Sequence, residues 1–305
     1  MANATAMDGS ELPTKPLPVP PAKAMSDLLA SMVDMKAQHV PSMTGIYGDQ
    51  GTGKTVTGMT FLQSVVPKHK KIVYVDSAAN WTSLQNHPHL MERVKLMEYE
   101  NMEQLQVLAR MLRISDELRE KIGGVMLDEY SVMSGRDQAW IVRARSEQAK
   151  AEGKFKDPFQ PTLPDYLGQK VRSGEVVNDF LVSKTHTMFI AHEKIDELRV
   201  IQPDFPEKTG KEWQRLLHGV YHATVDVQEN KQDVYKLQLK PFNRISAKNR
   251  IGGLGAFATI EEIAAAYHKW GITEDQPKGI VEASEEPSGE SDSDAEALRK
   301  LLGQQ

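Results

Sequence analysis

The eight residues GDQGTGKT, Gly48 to Thr55, constrain this chain more than any other stretch. They follow an apolar run, Met43-Thr44-Gly45-Ile46-Tyr47, and open into Val56-Thr57-Gly58-Met59-Thr60-Phe61-Leu62. Strand, glycine-rich loop and helix in that order match G-x-x-x-x-G-K-[ST] in full. Glycines let backbone wrap an anion closely, and successive N–H groups at a helix N-terminus face it. Gly48, Asp49, Gln50, Gly51, Thr52, Gly53, Lys54 and Thr55 are therefore the candidate phosphate loop. Lys54 is placed to reach the β- and γ-phosphates, and Thr55 to ligate Mg²⁺. A phosphate loop of this kind sits at the carboxyl end of a parallel strand, so an α/β fold with right-handed crossovers is expected.

Hydrolysis needs more than a cradle. Val125-Met126-Leu127-Asp128-Glu129 reads as an apolar strand ending in two acids. Asp128 is the candidate Mg²⁺-side carboxylate, with helix N-cap as its plain alternative. Glu129 is placed to orient or deprotonate an attacking water, and Asp76, ending the run Lys71–Val75, competes for that role. Two strand-like runs, Lys71–Asp76 and Arg93–Tyr99, lie between the loop and Asp128, which suggests a strand inserted between the two phosphate-side strands. No NKxD guanine-reading motif occurs, so ATP is the expected nucleotide. His192 ends the strand-like Thr187–Ala191 and would face the γ-phosphate; the alternative is a core histidine bonded to backbone. Zinc binding by His192 with His186 is not expected, for want of clustered ligands. Lys248 and Arg250, in AKNRIGG, are two cations one residue apart. They can project in parallel onto a neighbouring subunit's γ-phosphate, or form a solvated basic turn.

Charge and composition set the frame around these motifs. The chain has 305 residues, 40% of them hydrophobic, and no cysteine. That length suits one large α/β domain, and the missing cysteine excludes disulfides and cysteine-ligated metals and fits a reducing cytoplasm. No run approaches the length of a membrane-spanning helix, and the N-terminus lacks the apolar core of a secretory signal. The net charge of −5 conceals a division. The stretch 273–305 carries nine acidic against three basic residues, leaving the rest near neutral. Residues 1–23, rich in Pro and Ala, are expected to be disordered. Ala24–Met35 is expected to be helical, residues 24–271 to form the nucleotide-binding domain, and 272–305 a largely disordered acidic tail. An amphipathic helix is expected over Asn101–Leu112, a β-hairpin from Tyr221–Gln228 and Val234–Pro241, and a capped helix from Thr259-Ile260-Glu261-Glu262. Arg136–Arg172 shows a helix-like basic start, no clear strand, and eight Lys/Arg against five Asp/Glu. Trp140, Phe155, Phe159 and Tyr166 are interleaved with those charges. It reads either as a single-strand nucleic-acid site or as a solvated loop whose aromatics pin it to the core.

Taken together, GDQGTGKT, VMLDE, FIAHEK and KNRIGG resemble the RecA-like P-loop ATPases, and among them phage-encoded proteins of the single-strand annealing and recombination type. KNRIGG is similar to the Lys-x-Arg finger of RadA and of DnaB-type helicases. The resemblance covers about Ser42 to Gly271. It implies a mainly parallel sheet flanked by helices, and ATP- and Mg²⁺-dependent work on single-stranded DNA by a homo-oligomeric ring or filament in the host cytoplasm. The acidic tail would dock a phage or host single-strand-binding or recombination protein, and no membrane partner is implied. A helicase, helicase loader or packaging motor, and a nucleotide-gated assembly protein with little turnover, are the competing readings. The chain departs from RecA at one position. RecA carries its catalytic glutamate two residues after an aspartate ending the strand that follows the phosphate-loop helix; here Ala78 stands there. Glu129 takes that role by chemistry alone.

Overall fold

The structure, a computed structural model, describes residues 41–204, 213, 215–227 and 233–269. The segment 1–23, the helix expected over Ala24–Met35, the acidic tail and the turn of the C-terminal hairpin at 228–232 lie outside the described residues.

Ten strands among the described residues build one sheet: β1 Met43–Gly48, β2 Lys71–Asp76, β3 Val94–Glu98, β4 Ile122–Asp128, β5 His186–Ile195, β6 Ile201–Pro203, β7 Gly219–Val227, β8 Asp233–Gln238, β9 Lys248–Asn249 and β10 Phe257–Ala258. Across the sheet they run β10-β8-β7-β1-β5-β4-β2-β3, with β6 against β5 and β9 against β7. From β7 to β3 all neighbours are parallel, and β8 turns back antiparallel on β7 as the expected C-terminal hairpin. This is the mainly parallel α/β core, flanked by helices and ending in a hairpin, that the motifs implied. The inserted strand is real but arises differently. It is β5, which follows Asp128 in sequence and lies between β1 and β4, whereas β2 and β3 pair outward beyond β4.

Period-two alternation along the parallel strands sorts side chains onto two faces, each covered by helices. Ile46, Ile72, Tyr74, Met126, Met188 and Ile190 point one way. There they meet α1 Lys54–Val65, whose Met59, Phe61, Leu62 and Val65 are buried, and a second helix, Ile260–Lys269. Tyr47, Val73, Val75, Val125, Leu127 and Phe189 point the other way, onto α2 Met102–Ile114 and onto a pair of long helices. Asn101 caps α2 by accepting the Gln104 N–H at 2.9 Å. A short α3, Asp116–Lys121, leads into β4.

The pair of long helices corrects the loop reading of Arg136–Arg172. Most of that stretch is helical: α4 spans Tyr130–Ala151 and α5 spans Leu163–Leu181, leaving 152–162 as the connection. The start of α5 was legible and missed. Thr162 and Asp165 form a reciprocal capping box, with proline in the first turn. The helices run antiparallel. The Tyr130 hydroxyl lies 2.9 Å from Ser173 Oγ, Gln169 donates to the Ser134 carbonyl at 2.7 Å, and Arg145 pairs with Asp165 near the far end. Past Asp137 only Val142 and Ala149 of α4 are buried, so half of this helical hairpin stands in solvent. At 1.5 Å per residue α4 carries the 152–162 connection about 33 Å from its own start beside Asp128.

No helix among the described residues is long and apolar enough to cross a membrane. The last helix, α6 Ile260–Lys269, carries the expected cap: the Thr259 N–H donates to Glu262 Oε2 at 2.8 Å, and the Glu262 N–H to Thr259 Oγ1 at 3.3 Å. Thr259→Ala is expected to lower unfolding free energy by about 1 kcal/mol, measured as a shift in urea midpoint. An unchanged midpoint would mean that packing of Ile263 and Tyr267 on α1 holds the helix without its cap.

Candidate functional site

Parallel strands deliver their carboxyl ends to one edge, and every phosphate-side candidate arrives there. Register places Gly48 beside His192 and Asp76 beside Asp128. A cleft of about 450 Å³ opens at that edge, lined among others by Gln50, Gly53, Lys54, Thr55, Glu129 and His192.

The loop adopts the geometry that its glycines predict. Gly51 and Gly53 sit at φ +79° and +71°, in the left-handed region. Gly48 is small for another reason: a Cβ there would stand 2.9 Å from the Ala223 carbonyl of β7. Thr52 Oγ1 donates back to the Asp49 carbonyl at 2.8 Å, and the Gln50 N–H donates to Asp49 Oδ1 at 2.7 Å, closing the turn. Lys54 Nζ spans the loop, donating to the Gly48 and Asp49 carbonyls at 3.1 and 2.8 Å, with Glu129 Oε1 at 3.9 Å. Burial pulls its pKa down, against the neighbouring carboxylates.

Asp128 ends β4 with 1% of its surface exposed. Its Oδ2 accepts from Thr55 Oγ1 at 2.6 Å and from the Tyr74 hydroxyl at 2.8 Å; its Oδ1 accepts from Asn80 Nδ2 at 3.2 Å. Burial nonetheless pushes its pKa up. A carboxylate so desolvated is stabilised in its charged form by a cation beside it. Thr55 and Asp128 thus supply the hard oxygen donors that fit Mg²⁺, which keeps most of its waters and takes few protein ligands.

Glu129 faces the same cleft. Its N–H donates to Ser77 Oγ at 2.8 Å and its carbonyl accepts from the same hydroxyl at 3.2 Å, which fixes the backbone. Its Oε2 lies 2.5 Å from His192 Nε2. Burial raises the Glu129 pKa to about 7, despite the opposing charge of Lys54. Burial, then Lys54, lowers that of His192, which favours the neutral imidazole. His192 is therefore not a core histidine bonded to backbone through its ring. A carboxylate near pKa 7 in a cleft is well matched to taking a proton from water.

Asp76 is spent elsewhere. Its Oδ1 accepts the N–H groups of Ala78 and Asn80, both at 3.1 Å, and so caps the turn after β2. Ala78 lines the cleft with no carboxylate to offer. β5 runs on past His192 to Ile195, and His186 begins it, with its Nδ1 3.0 Å from the Ser42 nitrogen.

Lys248 and Arg250 are brought together, away from the cleft. β9 pairs with the beginning of β7, which pairs with Thr44 at the beginning of β1. Four residues separate Thr44 from Gly48, about 13 Å of strand. Lys248 Nζ and Arg250 Nη2 both donate to the Arg215 carbonyl, at 3.2 and 2.5 Å.

Sequence reasoning missed Tyr74 and Asn80, which hold Asp128, and the pair Glu193–His222. Their 2.7 Å contact ties β5 to β7 across β1. A hydroxyl tip on an otherwise apolar strand, in phase with Asp76, was the available signal for Tyr74.

No protein-family model matches the chain, and no curated protein matches it. Among solved structures it is similar to a KaiC-like protein from the hyperthermophilic archaeon Pyrococcus horikoshii, at 10% identity and TM-score 0.37, over 64% of this chain and 76% of that one.

Glu129→Gln is expected to keep triphosphate binding and slow its hydrolysis by about 10²-fold or more. Because the basic form of Glu129 grows as pH rises through its pKa, kcat/KM of the native chain should climb through about pH 7. A pH profile flat between 6 and 8, or a fully active Gln variant, would remove Glu129 from the chemistry.

Proposed function

We propose that this chain binds and hydrolyses ATP with Mg²⁺ and couples the reaction to single-stranded DNA. It would work as a ring or filament in phage recombination or annealing. The observation that carries the nucleotide half is the convergence of Lys54, Thr55, Asp128 and Glu129 in one cleft. When bound with its Mg²⁺, the triphosphate supplies the electrophilic phosphorus. Lys54 would leave the loop carbonyls for phosphate oxygens, and Thr55 and Asp128 would hold the cation. Glu129, relieved of its proton, would accept one from water, and His192 would keep that carboxylate aimed.

The DNA half rests on the helical hairpin. Phe155 and Phe159 are 90% and 82% exposed in the 152–162 connection, with Arg143, Lys150 and Lys156 also exposed. These aromatics do not pin the segment to the core. Exposed rings beside cations can stack bases while the cations meet phosphates. Not every cation is available in the same way: Arg145 binds Asp165, and Arg172 pairs with Asp137 and lies 4.9 Å over the Trp140 ring. The reading predicts that Phe155→Ala with Phe159→Ala weakens single-strand binding by roughly tenfold or more. The double variant should abolish DNA stimulation while leaving DNA-free hydrolysis unchanged. Fluorescence anisotropy at fixed salt is the measurement. Wild-type affinity in the double variant would move the DNA site elsewhere, and the absence of any DNA effect on the native chain would favour the nucleotide-gated assembly protein.

Lys248 and Arg250 complete the reading as fingers acting on a neighbour. Their place at the far edge from their own phosphate loop supports action in trans. In a mixture, Lys54→Ala subunits have a dead site and intact fingers, and Arg250→Ala subunits the reverse. Mixing two nearly inactive variants is expected to restore a measurable fraction of hydrolysis. Co-assembly without recovery would assign Arg250 a structural role.

A further inference from the structure

A second cleft, of about 580 Å³, lies on the other flank of the phosphate loop. It shares Gly53 and Val56 with the first. The rest of its wall includes Thr57 and Thr60 of α1, His87, Tyr235 and Lys236 of β8, and Glu261. Tyr235 lies against the loop itself. A Cβ on Gly53 would stand 2.9 Å from the Tyr235 ring. Gly53 is thus glycine twice over, for its left-handed φ and for the ring beside it. Yet Tyr235 is 47% exposed, so much of its surface remains open to the cleft.

We propose that this second cleft is the nucleoside subsite, taking the purine base of the nucleotide against Tyr235. The proposal rests on the ATP reading of the first cleft and adds where the rest of the molecule goes. The backbone N–H groups of a phosphate loop cradle the α- and β-phosphates at the start of the helix. A nucleoside hanging from the α-phosphate must leave over the first turn of α1. Val56 stands in that turn and borders both clefts. On the phosphate side the space is occupied by charged groups, Lys54, Asp128, Glu129 and His192. On the other side methyls, threonine hydroxyls, an imidazole and a phenol share the wall with Lys236 and Glu261; the apolar and aromatic faces suit a heterocycle, and the polar ends suit a ribose. Stacking on an aromatic ring holds any purine by its π-face and discriminates little among them. GTP and ATP should therefore bind within a few-fold of each other.

Because Tyr235 belongs to the β7–β8 hairpin, base stacking also ties nucleotide occupancy to that hairpin. The test separates base from phosphate. Affinities of Mg²⁺-ATP and of Mg²⁺-tripolyphosphate are measured by calorimetry for the native chain, Tyr235→Ala, Tyr235→Phe and Lys54→Ala. The expected result is a loss of roughly ten- to a hundredfold for ATP in Tyr235→Ala. Tripolyphosphate should be unaffected, and Tyr235→Phe should behave as native. Equal losses for both ligands would mean that Tyr235 only props the loop, and no loss for either would place the base elsewhere; both overturn the subsite. If the native chain binds neither ligand, or Lys54→Ala weakens neither, the ATP reading itself fails and takes the subsite with it.

Discussion

The structure depends on the burial of one carboxylate. Asp128 sits at the end of an apolar strand with almost no exposed surface, and a lone ion in such a place would cost several kcal/mol. Three elements are brought in to meet it: Thr55 from the phosphate loop, Tyr74 from β2 and Asn80 from the turn after β2. Asp76 in turn holds that turn in shape. The phosphate loop, the neighbouring strand and the turn are thereby fixed to a single point. The hydrogen bonds do not remove the penalty, since burial still raises the Asp128 pKa. What remains is a standing demand for positive charge, which the proposed Mg²⁺ would meet.

Glu129, one residue on, is governed by different physics. Its neighbours include a cation and an imidazole, and burial offsets the cation enough to leave its pKa near 7. Adjacent residues at one strand end thus take different duties in the proposed reaction, one to hold the cation and one to exchange a proton. Insertion of β5 between β1 and β4 makes this workable. It brings His192 level with Gly48, close enough to Glu129 to orient it, and it carries Glu193 on the other face toward His222 of β7.

Much of this was legible in the chain. The phosphate loop, the apolar strands of β2, β4 and β5, the caps of α2 and α6 and the C-terminal hairpin all follow from local patterns that tertiary context does not override. Strand order was legible only in outcome. Counting runs before Asp128 pointed to an inserted strand, but which run is inserted depends on crossover lengths and on faces that no single segment encodes. The helical hairpin was obscured because its outer half has no core to face. Phe155, Phe159 and Leu163 stay in solvent, so the 3.6-residue rhythm that marks a packed helix fades there. Tyr74, Asn80 and Tyr235 went unread because each acts across tens of residues of sequence.

The shared seat of Lys248 and Arg250 has a consequence for symmetry. The field of the two cations is felt nearby, since both join burial in lowering the pKa of His218. If these cations act on a neighbour, as proposed, the surface that receives them differs from the edge that bears them, and the rotation per step of such a heterologous contact alone decides between closure and endless growth.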